Sequence, residues 1–394
     1  MGFALVATRN TVPYNMEYGF VTARVRRAIH KPDMNALIPA AYYCSEEVFD
    51  RESTDIFARN WVFVGMRSAV AEHNEWIRTS VAGQSVVVQN FQGDIRCFQN
   101  VCSHRFCEIR LDEKGIGPLR CPYHGWTYDA EGVPVGIPHR PRFDGLTPEC
   151  LGGLALLRYR VELCGDLIFV CLDADAHGLR VAMGDFFAEV LAISSQMERQ
   201  IDASEWDIDC NWKILVENTL EAYHVDFVHP QSFARLKANF GDFRFDALAS
   251  SFLGSTNMDD PGVRRFTSGF PSRSRETEGY FHFSLFPSFL MSTSYGVVFS
   301  VQQIVPLSAS KTWMRSTLFH RNPEPGTGMT EEMASLLFDS AATFNRRVLK
   351  EDQRICEAVQ RGAARKLNNT GLLSEEEQRI GNFQRLYTSR LGDL

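Results

Sequence analysis

The stretch Cys102-Ser103-His104, followed after 16 residues by Cys121-Pro122-Tyr123-His124-Gly125-Trp126, sets two Cys-His pairs on what read as tight loops leaving β-strands. Each pair can grip one end of a metal centre. Thiolates suit ferric iron bridged by sulfide, and neutral imidazoles on a second iron raise the reduction potential above that of all-cysteine clusters. Zinc also accepts two cysteines and two histidines, although zinc fingers favour Cys-x2-Cys and His-x3-5-His and this chain has Cys-x-His. Four unrelated residues in β loops are the third reading. The chain's 10 cysteines are scattered, which points to reduced thiols and metal ligands rather than a disulfide framework. Cys97 and Cys107 read as structural.

Around these loops, from about Trp61 to Leu172, the signals are β. Ser85–Phe91, a turn at Gln92-Gly93-Asp94 and Ile95–Phe98 form a predicted hairpin, a second runs from Trp126 to Val133, and Leu167–Val170 reads as a buried strand. Beyond about Asp173 helical periodicity appears near Gly184–Met197 and over Lys213–Val228. Strands are expected within Thr256–Phe319, most clearly Tyr295–Val305 and Thr312–Phe319, and a helix from Thr330 to about Leu367 closes the chain. The fold class is therefore α+β: a small all-β domain, then a sheet packed against a terminal helix.

The segment from Asn211 to His224 has helical spacing that puts Glu217, Leu220, Glu221, His224 and Val228 on one face. Carboxylates and an imidazole on an apolar stripe are costly to bury unless paired or bound to metal. His229 follows His224 by five residues, which in a regular helix points it about 140° away. Both reach one metal only if the helix bulges or ends, and Pro230 agrees with an ending. On the last helix Leu337, Phe338, Ala341, Phe344, Val348, Ile355 and Val359 form an apolar stripe with Asp352 in its middle. Asp352 there is a candidate ligand, with Glu351 second; pairing with a buried arginine is the alternative.

Cys-x-His, a gap, then Cys-Pro-x-His-Gly-Trp resembles the Rieske [2Fe-2S] motif. Asn211-Trp212-Lys213, Glu217-Asn218 and Glu221-x-Tyr223-His224-x4-His229-Pro230 resemble the mononuclear iron motif of Rieske oxygenase catalytic subunits. The resemblance runs from about residue 45 to the end. It implies a Rieske domain over 45–173 with Cys102, His104, Cys121 and His124 on the cluster, and a helix-grip catalytic domain over 174–394 with Fe(II) on His224, His229 and Asp352. Residues 1–44 are expected to pack on the catalytic domain. The family commonly has Asp three residues before the first iron histidine, bridging the cluster of one subunit to the iron of its neighbour through His124; here Glu221 stands there. Glu at this position resembles the branch acting on carnitine and glycine betaine. The resemblance also implies a head-to-tail homotrimer, because within one subunit the two centres of this family are too far apart for fast electron transfer, and heterologous interfaces of that kind close into rings.

The chain has no convincing Gly-x-Gly-x-x-Gly and no plant-type cluster motif, so electrons are expected from a separate protein. The resemblance implies that this is an NAD(P)H-dependent flavin and iron-sulfur reductase, or a ferredoxin. A net charge of -7 argues against nucleic acid. No apolar run suits a bilayer or signal peptide, so a cytoplasmic protein without membrane contact is expected. The function implied is a terminal oxygenase that uses O2 to hydroxylate or dealkylate a small aromatic substrate. The alternative is monooxygenation of a quaternary or N-methylated amine, and the remote one an electron carrier without oxygenase activity. Phe281, Phe286, Phe289, Met291 and Tyr295 either line a pocket or form sheet core.

Overall fold

The computed structural model describes residues 38–233, 239–255 and 261–392. The expectation for the N-terminal segment lies, up to residue 37, outside the described residues.

The first sheet is antiparallel, in the order β1-β9-β8-β4-β3-β2-β5. Its strands are β1 (Val62–Met66), β2 (Glu75–Val81), β3 (Gln84–Phe91), β4 (Asp94–Gln99), β5 (Lys114–Ile116), β8 (Arg158–Cys164) and β9 (Leu167–Cys171), and β6 (Thr127–Tyr128) pairs separately with β7 (Pro134–Gly136). The predicted hairpin is β3–β4. Gln92 and Gly93 both take positive φ, 57° and 94°, the twist a two-residue turn needs to match its strands. The expected buried strand is β9, every residue of which is buried.

The second sheet is an antiparallel meander capped by a return strand, β10-β16-β15-β14-β13-β12-β11. Its members are β10 (Arg199–Ile208), β11 (Asn239–Asp246), β12 (Ala249–Ser255), β13 (Tyr280–Leu285), β14 (Phe289–Ser294), β15 (Val298–Ser308) and β16 (Lys311–His320). The strand expected from Tyr295 starts only at Val298. Tyr295 and Gly296 have φ of 54° and 62° and form the turn between β14 and β15.

Helices α1 (Glu46–Glu52), α2 (Pro148–Gly153), α3 (Leu179–Met183), α4 (Phe186–Ser194), α5 (Trp212–Thr219), α6 (Val225–Val228), α7 (Pro261–Thr267), α8 (Glu331–Ala363) and α9 (Gln378–Leu391) complete the described chain. Two differ from expectation. The helix read over Lys213–Val228 is broken between Thr219 and Val225, and α9 follows α8 as a second terminal helix. On α8 the buried face runs through Phe338, Val348, Leu349, Asp352, Cys356 and Gln360. Ile355 and Val359, placed on the stripe from sequence, are 37% and 49% exposed. The face of a straight helix drifts with its 3.6-residue period, and a polar Gln360 carries it where an apolar residue was expected.

Glu52 ties three of these helices together. Fully buried, it accepts from Lys213 Nζ, from Trp212 Nε1 at 2.7 Å and from the Tyr387 hydroxyl at 2.6 Å. Lys213 and Trp212 open α5, which leads directly into the candidate iron segment.

Candidate metal centres and the cavity beside the iron-ligand candidates

Helix α5 is started by Asn211, whose Oδ1 accepts from Lys213 N at 3.0 Å. Asn211 N donates in turn to Gln360 Oε1 of α8 at 2.8 Å, so the two helices are fixed in register. After Leu220 the chain leaves the helix, and Glu221 binds back onto His224, its carboxylate meeting Nδ1 and accepting from His224 N at 3.2 Å. One turn, α6, then carries the chain to His229, whose N–H donates to Val225 O at 3.0 Å. The break before His224 and the ending at His229 remove the angular conflict. The rings stand 5.2 Å apart at 68°.

Asp352 closes the group from α8: its Oδ1 lies 3.6 Å from His224 Nε2 and 3.0 Å from His229 Nε2. One ligand atom from each of His224, His229 and Asp352 lies within 4.8 Å of the others. Glu351 serves a different atom. Its Oε2 is 2.7 Å from His229 Nδ1 and accepts from Ser232 Oγ at 2.8 Å.

This arrangement fits a cation. Glu221 and Glu351 each accept an Nδ1 proton, which leaves both Nε2 atoms as lone pairs facing a carboxylate oxygen. Asp352 Oδ1 is buried and has no aligned hydrogen-bond partner among the described residues. Burial lowers the His229 imidazole, but Asp352 and Glu351 outweigh it and raise it. Three acceptors converging on one point suit the two-His, one-carboxylate set that holds non-heme Fe(II) with positions open.

The four residues of the other constellation also meet. Asn100 pins the first loop, its Oδ1 accepting from Ile109 N at 3.0 Å and Arg110 N at 2.8 Å. Gly125 turns the second with φ of 73°, where a Cβ would press on Arg120 and Pro138 at 3.0 and 3.3 Å. The buried thiols of Cys102 and Cys121 contact each other, and the His104 and His124 rings are 4.7 Å apart. His104 stacks on Trp126 at 4.7 Å, and its Nδ1 is buried without a partner. Burial, then His124, lowers the His104 imidazole and keeps it neutral. Two thiols and an unpartnered ring nitrogen are a donor set that fits a Cys2His2 iron-sulfur cluster.

Glu217 departs from the predicted stripe. It turns away from the histidines to accept from the Tyr43 hydroxyl at 2.9 Å and from Gln384 Nε2 at 2.9 Å, and burial pushes its carboxyl up to about 7. A raised folded-state value means the proton is held more tightly folded than unfolded. Its stability contribution is whole below the ordinary value of 4.5 and is lost as pH rises through about 7, roughly 3 kcal/mol in all. Glu217→Gln is expected to flatten urea-unfolding stability across that window; an unchanged pH slope would reject the assignment.

A cavity of about 550 Å³ extends from the three iron-ligand candidates, between α8 and the second sheet. Phe233, Phe252, Phe266, Tyr280, Tyr295 and Phe344 give it aromatic walls. Of the five residues weighed from sequence, Met291 and Tyr295 line it, while Phe281 and Phe289 belong to the sheet core and Phe286 packs on Phe383. Tyr280 and His282 were missed. They alternate with Phe281 and Phe283 along β13, so period two puts them on the opposite, cavity-facing side.

The family described as Rieske [2Fe-2S] domain matches residues 60–152, and that described as ring hydroxylating alpha subunit (catalytic domain) matches residues 196–393. A carnitine monooxygenase oxygenase subunit of Acinetobacter pittii (strain PHEA-2) is 25% identical over 89% of this chain and 91% of its own length. A chloroplastic choline monooxygenase of Beta vulgaris is 26% identical over 86% of this chain and 74% of its own. A solved quaternary ammonium Rieske monooxygenase superposes with a TM-score of 0.76 at 22% identity, covering 92% of this chain and 97% of that one. No described helix is long and apolar enough to cross a membrane.

Proposed function

Because this chain belongs to the ring-hydroxylating alpha-subunit family and carries a Rieske [2Fe-2S] domain, we propose that it is the cytoplasmic terminal oxygenase of a multicomponent quaternary-amine monooxygenase. The observation carrying the amine reading is the aromatic wall around the cavity that begins at the iron-ligand candidates. Aromatic faces attract a desolvated ammonium by about 2 kcal/mol or more, and such cages recognise quaternary ammonium groups. The carnitine and choline monooxygenases among its relatives support the same reading. The aromatic-substrate expectation rested on the breadth of the family and gives way to it; aromatic hydrocarbon catabolism has no support among these relatives.

When bound, the cluster supplies single electrons and the mononuclear iron activates dioxygen, NAD(P)H acting through the reductase or ferredoxin. In this reading Cys102, His104, Cys121 and His124 hold the former, and His224, His229 and Asp352 the latter. Glu221 and Glu351 fix the ring orientation of the two histidines through Nδ1. Glu221 also bridges to His124 of a neighbouring copy in a head-to-tail homotrimer.

Turnover with reductase and O2 on L-carnitine, choline and glycine betaine, against naphthalene and toluene, tests the substrate class. Loss of an amine coupled to oxygen uptake is expected; turnover confined to the arenes would reject the amine reading. Iron in excess of acid-labile sulfide is expected in the same preparation, whereas equal amounts would leave an electron carrier. Glu221→Gln should retain both metals and lower product formation by about 10–100-fold. Undiminished turnover would remove Glu221 from the bridge.

A further inference from the structure

Arg379, the second residue of α9, is fully buried, and no carboxylate lies within ion-pair distance of it among the described residues. It is satisfied entirely by neutral acceptors. Its Nε donates to Ser250 Oγ at 3.0 Å, and its Nη2 to Ser250 O at 3.1 Å and Ser284 Oγ at 3.0 Å. Its Nη1 reaches Leu220 O at 3.5 Å and His282 Nδ1 at 3.1 Å.

The last contact fixes a tautomer. Guanidinium can only donate, so His282 Nδ1 must accept, and the ring's proton sits on Nε2. Burial, then the charge of Arg379, holds the His282 imidazole well below its ordinary range, so it stays neutral. His282 lines the cavity and stacks on Phe252 at 5.4 Å and 7°, which fixes the ring plane. The result is an oriented N–H donor in the cavity wall, backed by a buried positive charge with no carboxylate in ion-pair reach among the described residues.

We infer that His282 Nε2–H, polarised by Arg379, is the specificity-determining donor for an oxygen acceptor of the substrate, a carboxylate by preference. A neutral imidazole donates to a carboxylate without having to change its protonation, and the Arg379 charge favours the anionic acceptor over a hydroxyl. With the aromatic walls for the ammonium, the cavity then suits a zwitterionic amine, and choline becomes the poorer ligand. This deepens the amine reading by naming the other end of the substrate, and rests on that reading only for the cationic end.

The test is isothermal titration of the anaerobic, iron-loaded enzyme with two matched pairs: γ-butyrobetaine with butyltrimethylammonium, and benzoate with toluene. The carboxylate member is expected to bind about tenfold tighter within whichever pair is accepted. His282→Leu should bring that ratio to about one with metal content kept, and His282→Gln, which retains an N–H, should restore part of it. Preference in the benzoate pair alone would keep the donor and reject the amine reading. Equal binding within both pairs, no binding of either carboxylate, or a ratio unmoved in His282→Leu overturns the proposal.

Discussion

Asp352→Ala is expected to cost the enzyme its mononuclear iron and, with it, turnover by on the order of a thousandfold or more, while the Rieske cluster stays intact. The contrast arises because the two donor sets share no residue. His224 and His229 remain oriented by Glu221 and Glu351, but the anionic oxygen that faces both Nε2 atoms is gone. Two neutral nitrogens bind ferrous iron far less well than the same pair with a carboxylate. The measurement is iron and acid-labile sulfide on one sample, with product formation beside it. A variant that kept the extra iron and full activity would show that Glu351, or another carboxylate, is the third ligand.

Glu52→Ala is expected to lower unfolding free energy by about 3–5 kcal/mol, the penalty for leaving a buried charge unpaired. The removed carboxylate is the acceptor for a fully buried ammonium, an indole N–H and a phenol. Burial lowers Lys213, and Glu52 is the first group opposing that effect, so its removal also makes the ammonium easier to deprotonate. Glu52→Gln keeps the shape but turns an amide NH2 toward donors, and should recover less than half of the loss. Urea unfolding measures both; a loss below about 1 kcal/mol in the alanine variant would mean that the orphaned Lys213 ammonium finds solvent or another acceptor. Because Lys213 and Trp212 begin α5, iron retention should fall in parallel.

That the side chains of the two candidate centres converge was legible because the signals are local: each His-bearing motif fits in a short window, and Asp352 stood out as a charge on an apolar stripe. What sequence hid was assembled from remote pieces. Arg379, His282 and Ser250 come from α9, β13 and β12, and nothing in any one segment announces that they touch. Helix α9 escaped because Arg379 and Gln384 are buried in it, which blurs a stripe of Ile380, Phe383, Tyr387 and Leu391. A Ser374–Glu377 capping box just ahead of it was the available signal. The broken helix before His224 came from Glu221 competing for the backbone N–H of His224, and Leu220's carbonyl reaching Arg379 instead of continuing the ladder. Such competition leaves no periodicity to read.

Adjacent residues on α8 serve different atoms, Asp352 facing the two Nε2 positions and Glu351 holding His229 from behind. A helix turns about 100° per residue, so a single inserted or deleted residue between Phe338 and Asp352 would rotate one part of α8 against the other. Phe338 sits in one apolar cluster while Leu349 and Cys356 sit in another, and both anchors cannot follow the same rotation. Length variation along this lineage should therefore collect in the connections at 321–330 and 364–374 and spare the interior of the rod.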